Sequence, residues 1–325
     1  MKRDLRLDYI RFIGILLVIL AHTSLNNYVS NIRTFDVAML VCVAGASYTY
    51  SKPIHSCKDY ITYIKKRFIR LVVPVWIFLT FYFILTAFMK GEMVYSISTM
   101  ISTYLLINGI GYVWIFRIML MMALINPLLF NIKSKIENSI TNIIVFLMTT
   151  LLINEVGVFL LTNSNFNIYF CKVIEFLVFY TMGYGILSFA GMLLPTLSRK
   201  KLLISIVTSG LIFVFTINFY GGFIPNSFKY PPMMQFISYG LFITYSLYLL
   251  FSLGDITNKK INSFVVWFSK HAMNIYLTHI LVIFLLDYFR LKLIPIIHYV
   301  VIVLLSVCLT YLYYFIKERL LHGKC

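Results

Sequence analysis

Apolar residues run in long blocks separated by short polar stretches, and the blocks recur along all 325 residues. A helix that crosses the hydrocarbon core needs about 20 mainly apolar residues. Ten blocks come close to or exceed that length: 9–29, 34–51, 71–89, 111–130, 139–161, 168–190, 202–220, 233–253, 264–289 and 294–316. The stretch 93–109, MVYSISTMISTYLLING, is shorter and rich in Ser and Thr. It predicts an interfacial or re-entrant piece at the outer face rather than an eleventh span. The pattern therefore predicts an all-α polytopic membrane protein with about ten transmembrane helices, forming one integral membrane domain over residues 1–325.

Composition supports this reading, since 61% of residues are hydrophobic and only 12% are charged. A net charge of +17 would suit nucleic acid on a soluble basic face. Here the cations sit in short loops between apolar blocks, so they act on topology instead. With the N-terminus inside, nineteen Lys and Arg fall in cytoplasmic loops, and five (Arg33, Lys90, Lys229, Arg290 and Lys292) fall outside. This bias predicts both termini in the cytoplasm. The N-terminus MKRDLRLDYIRF lacks a small-residue cleavage site and predicts an uncleaved signal anchor. The five cysteines, Cys42, Cys57, Cys171, Cys308 and Cys325, are odd in number and lack Cys/His ligand spacing, so they support neither a disulfide framework nor a metal site.

Two ionisable residues bracket the first apolar block, Arg11 and His22 in RFIGILLVILAH. On an α-helix the 11-residue step turns about 1100°, some 20° past three revolutions, and rises about 16 Å. Both side chains therefore share one face, with Gly14, Ile15 and Val18 forming a narrow wall between them and Asp8 one turn before Arg11. Charged groups inside a bilayer are costly and by default mark function. The alternatives are that Arg11 snorkels to the headgroups and that His22 is a satisfied interfacial residue. A second basic element, KKRFIR at 65–70, precedes the 71–89 block. Lys65 and Lys66 suit a topological stop, whereas Arg67 and Arg70 at i,i+3 stack two guanidinium forks suited to phosphate.

These residues resemble the membrane acyltransferase 3 family in its single-domain form. The resemblance rests on LDYIRFIGILLVILAH ending at His22, RFIR at 67–70, GYVWIFR with Trp114, KYPP at 229–232, and SKHAMNIYLTH from Ser269 to His279. Many relatives carry a C-terminal SGNH-type domain, and this chain instead closes with KERLLHGKC. The family transfers acyl groups, commonly acetyl, from cytoplasmic acyl-CoA to sugars at the outer face. The resemblance thus implies a membrane O-acyltransferase of a bacterial inner membrane. Its donor would be acetyl-CoA or another acyl-CoA, with no bound cofactor or metal. Its acceptor would be a surface polysaccharide or a lipid-linked sugar.

It further implies that Arg11, Arg67 and Arg70 hold the acyl-CoA phosphates and that His22 is catalytic, as general base or as acyl carrier. Trp114 and Arg117 are candidates for the acceptor platform, although Trp114 equally suits an interfacial aromatic belt. Glu175 and His279 complete the acceptor-side candidates. Lys172 and Glu175 stand one turn apart and predict an intramembrane ion pair, and His279 also suits a hydrogen-bonded structural role beside Asn274 and Tyr276. Glu155 either orients His22 or ends its helix. The segment from Asn218 to Pro232, with its glycines, aromatic rings and Lys229, suits a glycan-contacting loop. The competing reading is a polysaccharide exporter or flippase on the same scaffold, which has no evident need for the complete set of His22, Arg11 and R-x-x-R.

Overall fold

A computed structural model describes residues 3–23, 26–51, 54, 56–107, 109–254, 258–291 and 293–322. Lys2, Lys52, Lys292, Lys324 and Cys325, used above for topology and thiol counting, lie outside them. The described residues form fourteen α-helices and no strand.

Helix α1 (Leu5–Leu20) begins where the Asp4 side chain accepts from the backbone N–H of Arg6. Its 16 residues cover about 24 Å, less than the roughly 30 Å of a hydrocarbon core. Because α1 stops at Leu20, His22 lies in the turn beyond it rather than inside a 9–29 helix. Helices α2 (Asn27–Arg33) and α3 (Phe35–Tyr48) meet at Thr34 and form one apolar rod. Helix α4 (Cys57–Lys90) is far longer than the 71–89 block, since a Ser56/Asp59 capping box starts it early. Gly91, with φ 74°, stops it in the left-handed region that glycine tolerates. The R-x-x-R element therefore sits within α4, not in front of it.

Helix α5 (Ile97–Tyr104) has eight residues, about 12 Å, and cannot cross a bilayer. Two long helices follow, α6 (Trp114–Ile136) and α7 (Ile140–Thr162). Helix α8 (Ile168–Ile174) runs through a π-helical turn, Glu175–Tyr180, into α9 (Thr181–Leu193). Helices α10 (Arg199–Phe219) and α11 (Met234–Leu253) precede a broken pair. That pair, α12 (Lys259–Lys270) and α13 (Ala272–Tyr288), bends by 74° at its break. Helix α14 (Pro295–His322) is last. Among the described residues eight rods are long and apolar enough to span, or nine with the bent pair counted as one. The remaining one of the ten apolar blocks is the short α1.

Burial divides the bundle into a centre and a rim. Helices α3 and α9 are almost wholly buried, while α7, α10 and α14 expose apolar side chains such as Val156, Leu211 and Leu304, as lipid-facing helices do. In a bilayer, helices gain little from burying apolar surface and associate through close packing at small residues. Here Gly191 on α9 lies against the Cys42 carbonyl of α3, where a Cβ would stand 1.9 Å from the oxygen. Gly45 on α3 lies equally close to Ser188 of α9, with 2.0 Å from a Cβ to the carbonyl oxygen. Gly191→Val should therefore part the two central helices and cost at least about 3 kcal/mol, the upper part of the usual overpacking range. Thermal unfolding in detergent would show it, with Gly222→Ala, which meets nothing within 4 Å, as the silent control.

Candidate functional site

Polar side chains gather at two levels of the bundle. The basic end carries the N-terminus and the start of α4, and its organising group is the buried Asp8 carboxylate. Arg3 donates two hydrogen bonds to it at 2.6 and 2.8 Å, and the Ser269 hydroxyl of α12 donates a third at 2.6 Å. Ser269 in turn accepts from Arg11 Nη1 at 2.9 Å, while Arg11 Nη2 donates to Ser47 of α3 at 2.9 Å. Arg11 lies 3.7 Å from Asp8, so the expected orientation of Arg11 by Asp8 is present, with Ser269 as the bridge. The hydrogen bond to Asp8 raises the already high pKa of Arg3, against the opposing effect of burial. Arg11 keeps 27% of its side chain exposed, with Nη1 and Nη2 engaged by Ser269 and Ser47.

Arg67 and Arg70 part company. Arg67 stacks over Tyr63 at 5.2 Å and reaches Ser51 at 3.4 Å, near the end of α3. Arg70 is exposed and lines a cavity of about 760 Å³ between α4, α13 and α14. The shared phosphate clamp expected from i,i+3 spacing is thus two neighbouring contacts, because α3 stands beside one guanidinium and the cavity beside the other. Lys270, His271 and Lys317 join Arg70 in that cavity, followed along α13 by Asn274, Thr278 and Leu281. His271 marks the bend between α12 and α13 and packs on Tyr314 with ring centroids 3.9 Å apart.

The wall expected between Arg11 and His22 is closed. Gly14, Ile15 and Val18 are buried, and a Cβ on Gly14 would lie 2.8 Å from Leu40 of α3. The small residue that suggested a groove serves close helix packing instead.

At the far end, the turn beyond α1 sets His22 against two rings, Tyr112 at 4.7 Å and His279 at 5.2 Å between centroids. His279, fully buried on α13, bonds through Nδ1 to the Tyr276 carbonyl. A carbonyl only accepts, so Nδ1 carries the hydrogen and Nε2 the lone pair. That Nε2 is buried without a hydrogen-bond partner. The Tyr276 hydroxyl donates to the Tyr112 carbonyl, which ties the aromatic neighbours of the two histidines together.

A charged group flanks this pair. Arg33 and Lys229 both face Asp36, at 2.5 and 3.6 Å, and all three are buried. The Lys229 ammonium also lies 5.0 Å from the Trp114 ring and 5.6 Å from Tyr230. Burial pushes the Lys229 ammonium below its usual range, and Asp36 opposes that shift. Arg33, Asp36 and Lys229 all act electrostatically on His22.

The other acceptor-side candidates lie apart from the histidines. Arg117 donates to the Ile107 carbonyl at 2.5 Å and stacks over Phe176 at 4.9 Å and Tyr180 at 5.9 Å. Glu175 feels the charge of Lys172, yet no ion pair closes within 4.0 Å. The backbone turns π-helical at Glu175, which breaks the α-helical register that the pair needs. Glu155 accepts from the Met234 backbone at 2.8 Å and so caps α11 rather than His22.

Ser47, a small polar residue in apolar surroundings, gave no sequence signal, and Tyr112 lies in the GYVWIFR stretch, where only Trp114 and Arg117 stood out. Asp36 did carry one: a lone carboxylate in an apolar block, one turn after Arg33. The basic-end relay is testable. Ser269→Ala should leave Arg11 and Asp8 each one partner short and cost about 1–3 kcal/mol, read by thermal unfolding. Ser269→Thr, which keeps the hydroxyl, should cost much less.

The family model of the acyltransferase 3 domain, described as an acyltransferase domain, matches residues 4–315. No curated protein and no solved structure matches the chain. The match runs from the cap of α1 into α14 and so takes in both polar ends of the bundle, and the chain belongs to the acyltransferase 3 family.

Proposed function

We propose that this membrane acyltransferase moves an acyl group, acetyl above all, from cytoplasmic acyl-CoA to a hydroxyl of a surface polysaccharide or its lipid-linked precursor, in a bacterial inner membrane. The observation that carries the reading is the separation of two sites, a guanidinium cluster at one end of the bundle and a pair of histidines at the other. In this reading the basic end is cytoplasmic. Arg11, Arg67 and Arg70 take the donor phosphates, with Lys270 beside them.

The pantetheine arm then has a route along α13. From His271 to Leu281 the cavity follows ten residues of that helix, about 15 Å, while His279 is buried on another face of α13. A groove of that length suits an extended thin arm. At the far end His22 acts on the acceptor hydroxyl as general base, or first carries the acyl group itself. Both routes use a neutral ring. His279 Nε2, with its partner-free lone pair, is placed to accept from an N–H of His22 and hold that ring in one tautomer. Trp114 and Tyr230 give a sugar an aromatic face beside it.

His22→Ala should lower transfer by at least about 100-fold while insertion and expression persist. The measurement is O-acetyl content, by NMR of surface polysaccharide from a deletion strain complemented with wild type or variant. Glycan that is absent without the protein and restored by His22→Ala would favour export. Unchanged acetylation in the variant would remove His22 from the chemistry. A bulky side chain in the cavity tests the route separately. Leu281→Trp should lower kcat/KM for acyl-CoA roughly tenfold or more, the effect of misplacing a bound arm, with acceptor binding unchanged.

A further inference from the structure

The cluster of Arg33, Asp36 and Lys229 does more than pin α2 and α3 to the loop before α11. It buries two cations against one carboxylate. Arg33 is 8% exposed, Asp36 1% and Lys229 4%. Two full charges held out of water against a single opposite charge leave an excess that the interior does not compensate. The excess is visible in the hydrogen bonding. Arg33 spends Nη1 on Asp36, but its Nε is buried and has no partner. Lys229 sits 3.6 Å from Asp36, longer than a hydrogen bond to an ammonium, and lies over the faces of Trp114 and Tyr230.

The backbone that carries these cations is fixed by hydrogen bonds from neighbouring helices. Tyr239 donates to the Ile32 carbonyl at 2.6 Å, beside Arg33, and Tyr184 donates to the Lys229 carbonyl at 3.3 Å. Asn154 fixes the Pro232 carbonyl at 2.8 Å. A preorganised pair of donors with a spare positive charge is what anion recognition requires. The neighbours then place the anion. Tyr230, 45% exposed, brings an aromatic wall to the surface, and His22 lies within the field of all three charges.

We propose that Arg33 and Lys229 form an anion subsite for the acceptor. It takes a carboxylate or phosphate that the sugar carries close to the hydroxyl being acylated, with Asp36 setting the strength of binding. The proposal rests on the acyl-transfer reading for its placement beside the acceptor, and it narrows the acceptor class from glycans in general to anionic ones. A uronic acid residue and a sugar phosphate share the necessary chemistry. A neutral hexose lacks it.

Binding measured without any acyl donor tests the subsite on its own. The full chain in nanodiscs of neutral lipid would be titrated calorimetrically with glucuronic acid, glucose 1-phosphate and glucose. Wild type should bind one or both anionic sugars at least tenfold more tightly than glucose; preference for glucuronic acid points to a uronate acceptor and for glucose 1-phosphate to a phosphate-linked one. Lys229→Gln and Arg33→Gln should each weaken that binding roughly tenfold, and Lys229→Arg should keep most of it. Asp36→Asn should tighten it, because among the described residues Asp36 is the carboxylate paired with both cations. A cluster that serves folding alone predicts the opposite, with Asp36→Asn weakening binding as much as the cation variants. Equal binding of glucose and the anionic sugars by wild type would also overturn the proposal. Anion binding that follows this pattern in a chain that transfers no acetyl would leave the subsite standing and sink the acyl-transfer reading instead.

Discussion

A bundle this apolar can hold charged side chains only where partners meet them, and that constraint shapes the molecule. At the basic end one buried carboxylate, Asp8, joins Arg3, Ser269 and Arg11. At the far end one buried carboxylate, Asp36, faces Arg33 and Lys229. Each network draws in elements distant in sequence: Ser269 belongs to α12 and Lys229 to the loop before α11. Removing a partner from such a network leaves a desolvated charge, which costs far more than a surface pair would. The two networks therefore fix the ends of α1 and α3 relative to the later helices, and the glycine contacts of α3 with α9 fix the middle.

The proposed transfer draws on the same arrangement. In that reading the guanidinium groups at the basic end, of which Arg70 is exposed at the cavity, suit a polyanionic donor. The histidines at the opposite end have aromatic neighbours and a spare positive charge nearby, which suits a sugar. Between them the face of α1 is packed, and the open volume follows α13 instead. The break at His271 is what makes this possible. It swings α12 under α1, so that Ser269 reaches Arg11, while α13 carries His279 up to His22.

Much of this was legible in the sequence because the signals were costly ones. Apolar block length and loop charge announced a polytopic membrane protein, and Arg11 and His22 stood out as ionisable groups at the ends of an apolar run. Periodicity alone placed them on one helical face, and here it failed in two ways. The helix ends at Leu20, before His22, and the face between them is filled by Leu40. Helical spacing cannot reveal that a glycine receives a neighbouring helix rather than a ligand. Arg67 and Arg70 were separated, and the Lys172–Glu175 pair left open, by tertiary contacts and a π-helical turn that no i,i+3 rule contains. In the sequence His279 suits both an acceptor-side role and a structural one beside Asn274 and Tyr276. Its position against His22 depends on α1 and α13 meeting, a contact between residues more than 250 positions apart.

In the proposed reaction donor and acceptor are handled at opposite faces of the membrane. Proteoliposomes with the chain in one orientation would test it most directly, with radiolabelled acetyl-CoA sealed on the side of the N-terminus and a glycan acceptor added on the other. Transfer across the bilayer should yield labelled glycan in that arrangement and none when the two compartments are exchanged. Transfer only when acetyl-CoA and glycan share one compartment would contradict it.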